Sequence, residues 1–314
     1  MKDRFNREVD YLRISVTDLC NLRCVYCMPI SGVAKKEHKQ IISVERIKDV
    51  VLAASKLGIT KVRLTGGEPL VRNGIIEICK EIKSISAIKE LCLTTNGVLL
   101  NDMAQALYDA GVDRLNISLD TLDPEKYKRI TRGGNINDVL AGIQKSKQVG
   151  FKNIKINVVL IGGFNDDEIK DFGKFAQDEE LSVRFIELMP IGQSKLMDQK
   201  SYISNDIILQ KIPDLVTVND DSGVANEYKF KNSKGSIGLI SPLSHIFCNS
   251  CSRIRLTSEG KLKPCLHSSL EIPTEGLEGE ELVEAIRKAI LLKPEKHHLE
   301  VGSDSLNNMN EIGG

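Results

Sequence analysis

The chain has 314 residues, 41% of them hydrophobic and 27% charged, with 43 basic residues balancing 43 acidic ones. These values suit a globular protein with one large core or two, and the charge balance excludes a global attraction to nucleic acid. No run of 18 apolar residues is present, which excludes a membrane-spanning helix. The eight cysteines, without an apolar secretion segment, read as free thiols in the reducing cytoplasm and not as a disulfide framework.

In chain order, the first 190 residues alternate strand and helix. The predicted strands are Tyr11–Val16, Lys61–Thr65, Glu90–Thr95, Asp113–Leu119, Asn153–Ile161 and Ser182–Leu188. Ser43-Val44-Glu45-Arg46 has the pattern of a capped helix start, and Lys56-Leu57-Gly58 that of its end. A repeated βα unit implies a parallel sheet or barrel. Six such strands are too few for an ordinary closed eight-stranded barrel, so the expectation is an α/β fold, an incomplete (β/α)6 TIM-type barrel. After about residue 190 the alternation stops, which divides the chain into a barrel domain (1–190) and a C-terminal domain (191–314). The second part holds a helix near Ser204–Lys211, short strands, a helix near Glu280–Leu291 and a polar tail.

The strands carry a second signal. Parallel strands covered on both faces are usually apolar throughout, but these alternate. Arg13, Ser15 and Thr17 share a face, as do Arg63 and Thr65, Thr94 and Asn96, Asn116 and Ser118, and Lys155 and Asn157; Leu, Ile and Val fill the other. The apolar set is expected against the helices and the polar set inward. An interior containing Arg13, Arg63 and Lys155 is costly unless something anionic fills it. The competing reading is the solvated face of an open sheet.

Six cysteines fall into two sets of three. Cys20, Cys24 and Cys27 directly follow the first strand; Cys248, Cys251 and Cys265 lie near the end of the chain. Three thiolates around a four-iron cube leave one iron free for a ligand. For the second set zinc is the competitor, with His267 as a fourth ligand. Cys79, on a helix with an apolar side, and Cys92, within a strand, read as small core residues. The segment from Arg253 to Cys265 reads as a hairpin with a three-residue loop at 258–260. Pairing Thr257 with Lys261 sets Arg255 opposite Lys263 and Arg253 opposite Cys265. Cys251, Arg253, Arg255, Lys263 and Cys265 then share one face, so the gap of thirteen residues returns the third thiol to the first two and surrounds them with cations.

The first cysteine segment, with Tyr26 between its second and third cysteines, resembles the signature of the radical S-adenosylmethionine (SAM) superfamily. Thr65-Gly66-Gly67-Glu68-Pro69 fits it too. Together with Thr94-Thr95-Asn96-Gly97, Ile117-Ser118-Leu119-Asp120, the second cysteine set with Arg253-x-Arg255, and the terminal Gly313-Gly314, the chain resembles the GTP 3',8-cyclase family, also called molybdenum cofactor biosynthesis protein A. The likeness covers nearly the whole chain. It implies two [4Fe–4S] clusters, one on Cys20, Cys24 and Cys27 that activates SAM and one on Cys248, Cys251 and Cys265 in the C-terminal extension that holds the guanine of GTP. It implies SAM contacts at Tyr26, Gly67, Ser118 and Met189, and GTP contacts at Arg13, Arg63, Thr94, Lys155, Arg253 and Arg255. Arg253, Arg255, Gly313 and Gly314 would serve catalysis, the two glycines by threading into the site. The implied reaction removes the ribose 3' hydrogen with a 5'-deoxyadenosyl radical and joins C3' to C8 of guanine, the first step of molybdenum cofactor biosynthesis. The family further implies a cyclic pyranopterin monophosphate synthase that takes the product and an electron donor such as flavodoxin or ferredoxin, and it is compatible with a homodimer. The alternatives are a radical SAM enzyme with an auxiliary cluster acting on a peptide, a two-cluster electron carrier, and a zinc-stabilised binding protein.

Overall fold

The computed structural model describes residues 1–33, 40–218, 224–297 and 299. The predicted strands form within one residue of their expected ends: β1 (Tyr11–Ser15), β2 (Lys61–Thr65), β3 (Glu90–Thr95), β4 (Arg114–Ser118), β5 (Ile154–Leu160) and β6 (Ser182–Glu187). All five neighbouring pairs are parallel, in chain order. The linking helices are α1 (Val44–Ser55), α2 (Ile75–Lys83), α3 (Leu100–Asp109), α4 (Pro124–Thr131), α5 (Ile136–Val149) and α6 (Ile169–Asp178). Ser43 caps α1 by accepting from the Arg46 amide. This leaves one fewer orphan donor at the helix start.

The apolar strand positions build the layer under the helices. Leu12, Ile14, Val62, Leu64, Leu115, Ile117, Ile156 and Val158 are fully buried against Val50 and Val51 of α1, Ile78 of α2, Leu107 of α3 and Val139 of α5 in one continuous cluster. Each such side chain contributes about 1.5–3 kcal/mol when buried. Cys79 belongs to this cluster. Cys92 is also buried, but its register partners are Arg63 and Arg114, so it stands on the inward face.

Residues past 190 do not build a sheet of their own. They comprise α7 (Asp206–Lys211), β7 (Val216–Val218), β8 (Asn226–Lys229), β9 (Ser236–Ile240), β10 (Arg253–Leu256), β11 (Lys261–Lys263), β12 (Ile272–Pro273) and α8 (Gly279–Leu291). β9 adds in parallel beside β6, and β10 adds in parallel beside β1. The parallel run is therefore β10-β1-β2-β3-β4-β5-β6-β9, inside a sheet of twelve strands with antiparallel β11 and β12 at one end and β8 and β7 at the other. The barrel stays open, because β9 and β10 do not pair with each other among the described residues. The hairpin has the expected register, Arg255 opposite Lys263 and Leu256 opposite Leu262, closed by the Thr257 amide on the Lys261 carbonyl at 2.9 Å. α8 lies against α1 and β11.

Candidate active site

The inward positions line one cavity of about 750 Å³. Its upper rim lies at the C-terminal ends of the strands, where folds of this type carry their chemistry. The loop after β1 holds Cys20, Cys24 and Cys27 there, and all three line the cavity. Backbone bonds fix the loop: the amides of Arg23 and Val25 donate to the carbonyls of Thr131 and Ile130, and Cys27 turns back onto Cys24. The Leu22 amide donates to Cys20 Sγ at 3.3 Å. Burial pushes the thiols of Cys20 and Cys24 up.

Gly66 and Gly67 stand against this loop. The Gly67 amide donates to the Thr17 carbonyl at 2.7 Å and the Glu68 amide to the Leu19 carbonyl at 2.8 Å. A Cβ on Gly67 would lie 2.3 Å from the Leu19 carbonyl oxygen, and one on Gly66 would lie 2.4 Å from that of Thr17. The glycines are thus required first by the approach of the second loop to the first. Glu68 ties a third loop to them, accepting from Leu70, the Thr95 hydroxyl and the Asn96 amide at 2.7–3.0 Å. Burial raises its carboxyl to about 7 against the pull of those donors. Tyr26 donates to Asp120 at 2.7 Å, and Asp120 also accepts from the Val159 amide. Burial lifts Asp120 to about 6. Ser118 and Met189 complete the rim.

The opposite end is closed by the second cysteine set. Tyr11 is paired with Arg253, so Cys251 lies beside the start of β1 while Cys20 lies beyond its end. Four residue steps separate Tyr11 from Ser15, or roughly 13 Å along the strand. Cys265, two residues beyond the end of β11, reaches the same end, and Cys248, Cys251 and Cys265 all line the cavity. Here the thiols meet cations. Arg253 Nη2 is 3.7 Å from Cys251 Sγ and Lys293 Nζ is 3.6 Å from it. Burial alone would raise Cys251, but these charges bring it down to about 6. His267 meets His297 edge-on, 4.9 Å between ring centres. Both cysteine triplets are soft sulfur donor sets that fit iron–sulfur clusters.

Between the two ends the wall is cationic. Arg13, Arg63, Thr94, Lys155, Arg253 and Arg255 all line it. Arg13 is pushed well below its ordinary range by burial and by the neighbouring Arg255 and Arg63. Burial beside Arg184 lowers Lys155 to about 8, and burial with Arg253 lowers Arg255 to about 10. Nε of Arg13, Nε of Arg63 and Oγ1 of Thr94 are buried with no partner. Such groups are costly unless a ligand satisfies them. The solvated-face reading fails here, because the inward residues enclose a cavity.

The structure adds lining residues that the sequence reading did not single out: Tyr11, Lys61, Arg114 and Arg184. Tyr11 lies under Arg13, Lys61 and Arg63, each 5.4–5.7 Å from its ring centre, and its hydroxyl is buried without a partner. Strand parity was the available signal, since Tyr11 shares the face of Arg13 and Arg114 that of Asn116. Gly313 and Gly314 lie outside the described residues. Among the described residues no helix is long and apolar enough to cross a membrane.

Two family models match the chain, Radical SAM superfamily over residues 14–176 and Molybdenum Cofactor Synthesis C over residues 181–299. The chain is 49% identical to the GTP 3',8-cyclase of Alkaliphilus oremlandii (strain OhILAs) over 320 residues and 49% identical to that of Clostridium botulinum (strain Langeland / NCTC 10281 / Type F) over 319, covering 100% of both chains in each case. It is 43% identical to the enzyme of that name from Moorella thermoacetica, again over 100% of both chains. Among solved structures, Streptococcus suis SuiB bound to the precursor peptide SuiA superposes with a TM-score of 0.64 at 15% identity, over 96% of this chain and 66% of that one. AdoMet-bound anSMEcpe gives 0.60 at 16%, over 89% and 82%. The low identities make these a likeness of fold, which agrees with the open parallel barrel. The full-length matches carry the assignment: this chain belongs to the GTP 3',8-cyclase family of the radical SAM superfamily.

Proposed function

We propose that this chain converts GTP to (8S)-3',8-cyclo-7,8-dihydroguanosine 5'-triphosphate, the first step of molybdenum cofactor biosynthesis, using its two cysteine triplets for different tasks. The observation that carries this reading is the single cavity with a sulfur triplet at each end and buried, unpartnered arginine nitrogens between them. Cys20, Cys24 and Cys27 hold the first [4Fe–4S] cluster. When bound, such a cluster with a free iron delivers the electron that releases a 5'-deoxyadenosyl radical from SAM. Tyr26, Gly67, Ser118 and Met189 line the SAM side, where the Tyr26–Asp120 hydrogen bond fixes the ring.

Cys248, Cys251 and Cys265 would hold the second cluster, which when bound would supply an iron site for the guanine base. Arg13, Arg63, Lys155, Arg253 and Arg255, with Thr94, receive the triphosphate. Arginine forks suit phosphate oxygens, and charges in a dry cavity interact far more strongly than at a surface. Substrate fixed from both ends would present its ribose to the radical, which takes the 3' hydrogen; C3' then adds to C8 across the C8–N7 double bond, and the N7-centred radical left behind takes one electron from the reductant and one proton to give the 7,8-dihydro product. A compact polyanion matches this wall better than a peptide does. This reading also assigns a catalytic role to Gly313 and Gly314, which lie outside the described residues. Free ligand thiols belong in a reducing compartment, hence the cytoplasm, with a flavodoxin or ferredoxin as electron donor, a cyclic pyranopterin monophosphate synthase as acceptor of the product, and room for a homodimer. Anaerobic incubation with reductant, SAM and GTP tests the reading. 5'-Deoxyadenosine together with a cyclised nucleotide is expected; 5'-deoxyadenosine without any modified nucleotide would overturn it.

A further inference from the structure

Lys293, just past the end of α8, is only 2% exposed. Among the described residues it forms no ion pair with a carboxylate, and a buried ammonium without a counter-anion is costly. Its three N–H donors have three acceptors: the Arg253 carbonyl at 2.6 Å, the Pro264 carbonyl at 3.4 Å and Cys251 Sγ at 3.6 Å. Arg253 lies two residues after Cys251, and Pro264 directly precedes Cys265. One side chain thus spans both strands of the hairpin at the point where two of the three thiols must stand at a set separation.

The segment that carries Lys293 is itself tied, through Arg7, to the backbone of Cys248. Arg7 donates to the carbonyls of Cys248, Glu295 and Pro294 at 2.7–2.9 Å, and it is held from behind by Asp3 at 2.6 Å. His297 closes the far end against the Pro242 carbonyl at 3.0 Å. The strap from 293 to 297 is therefore bonded to the surroundings of all three cysteines.

We propose that Lys293 is a positioning residue for the second cluster: its ammonium donates to the Cys251 sulfur, holds the hairpin ends at cluster spacing, and supplies the positive charge that offsets the thiolates. This rests on the reading that Cys248, Cys251 and Cys265 hold a cluster. Outer-shell donors of this kind orient the ligands and tune the metal, and their loss typically costs roughly 10–100-fold in metal affinity or activity. At the first triplet, Cys20 Sγ accepts from the Leu22 amide and from the Asn96 side-chain amide.

The test is made on the full chain with Cys20, Cys24 and Cys27 replaced by Ser, so that only the second cluster gives a signal, after anaerobic reconstitution. The parent without Lys293 changes is expected to hold about four irons in this background. Lys293→Met keeps the side-chain volume and removes the charge. Its midpoint potential is expected to move to more negative values, because a cation that favoured the added electron is gone, and the GTP concentration that changes the electron paramagnetic resonance spectrum is expected to rise roughly 10–100-fold. Lys293→Arg is expected to return both readings toward the parent. A Lys293→Met chain with the parent's potential and the parent's response to GTP overturns the proposal, since a purely structural lysine would move neither. If Lys293→Met does not fold, Lys293→Gln carries the same comparison. A parent that holds no iron in this background overturns the second cluster itself, an outcome distinct from an unaltered cluster in the variant.

Discussion

The two cysteine triplets present the same three sulfurs in opposite surroundings. The first lies in a loop at the strand ends, near Glu68 and Asp120, where burial pushes Cys20 and Cys24 up. The second lies on a hairpin and a preceding turn among Arg253, Arg255, Lys263 and Lys293, where charge outweighs burial at Cys251. The first set thus faces a rim of fixed acids and hydrogen bonds, while the second faces a basic chamber suited to an anion. The difference teaches that two identical donor sets can stand in opposite charge surroundings, and in the proposed function those charges decide what each site receives.

The sharpest way to break this comparison is to remove one thiol from each set. Cys24→Ser is expected to abolish 5'-deoxyadenosine formation and cyclisation together, measured by chromatography of anaerobic reactions. Cys265→Ser is expected to spare SAM cleavage while GTP binding and product yield collapse. Equal loss of both activities in the two variants would mean the triplets do not divide the work.

Next in size are the cations between them. Arg253→Ala or Arg255→Ala is expected to leave the iron content of both clusters intact and lower kcat/KM for GTP roughly 10²–10³-fold, the usual loss of one donor aimed at developing or bound charge. Turnover at the parent's rate in both variants would remove them from the phosphate site.

A smaller effect concerns pH. Burial and Arg184 lower Lys155 to about 8. An amine is charged below its pKa, so phosphate binding is favoured below about 8 and weakens as pH rises through it. kcat/KM for GTP should fall above that pH in the parent, and Lys155→Arg should flatten the profile because arginine keeps its proton.

The smallest effect is expected at a thiol outside both sets. Cys79 is fully buried in α2, and burial pushes its thiol up to about 12. Cys79→Ala should cost about 1 kcal/mol by denaturant unfolding and change the iron content not at all. Lost iron would make Cys79 a ligand.

Much of this was legible in the residues alone. Alternation of Arg13 with Leu12 and Ile14, or of Lys155 with Ile154 and Ile156, fixes which face of a strand is inward, because side chains alternate with a period of two. The hairpin register followed from the three-residue loop and holds at Arg255–Lys263 and Leu256–Leu262. Inward cations on later positions, Arg114 and Arg184, obey the same parity. What Gly66 and Gly67 accommodate was not legible, since the obstacle to a Cβ is the Thr17–Leu19 backbone of a different loop.

Local chemistry in the sequence was thus enough to set strand faces, cysteine triplets and family membership, because each depends on spacing within a few residues or on full-length likeness. Long-range pairing decided the rest. Only the folded chain sends β9 and β10 to opposite edges of the barrel sheet, and only there do Lys293 and Arg7, 286 residues apart in number, converge on the second cysteine set. No local pattern encodes which distant backbone groups a buried cation will meet; that is settled when the strands close around one cavity.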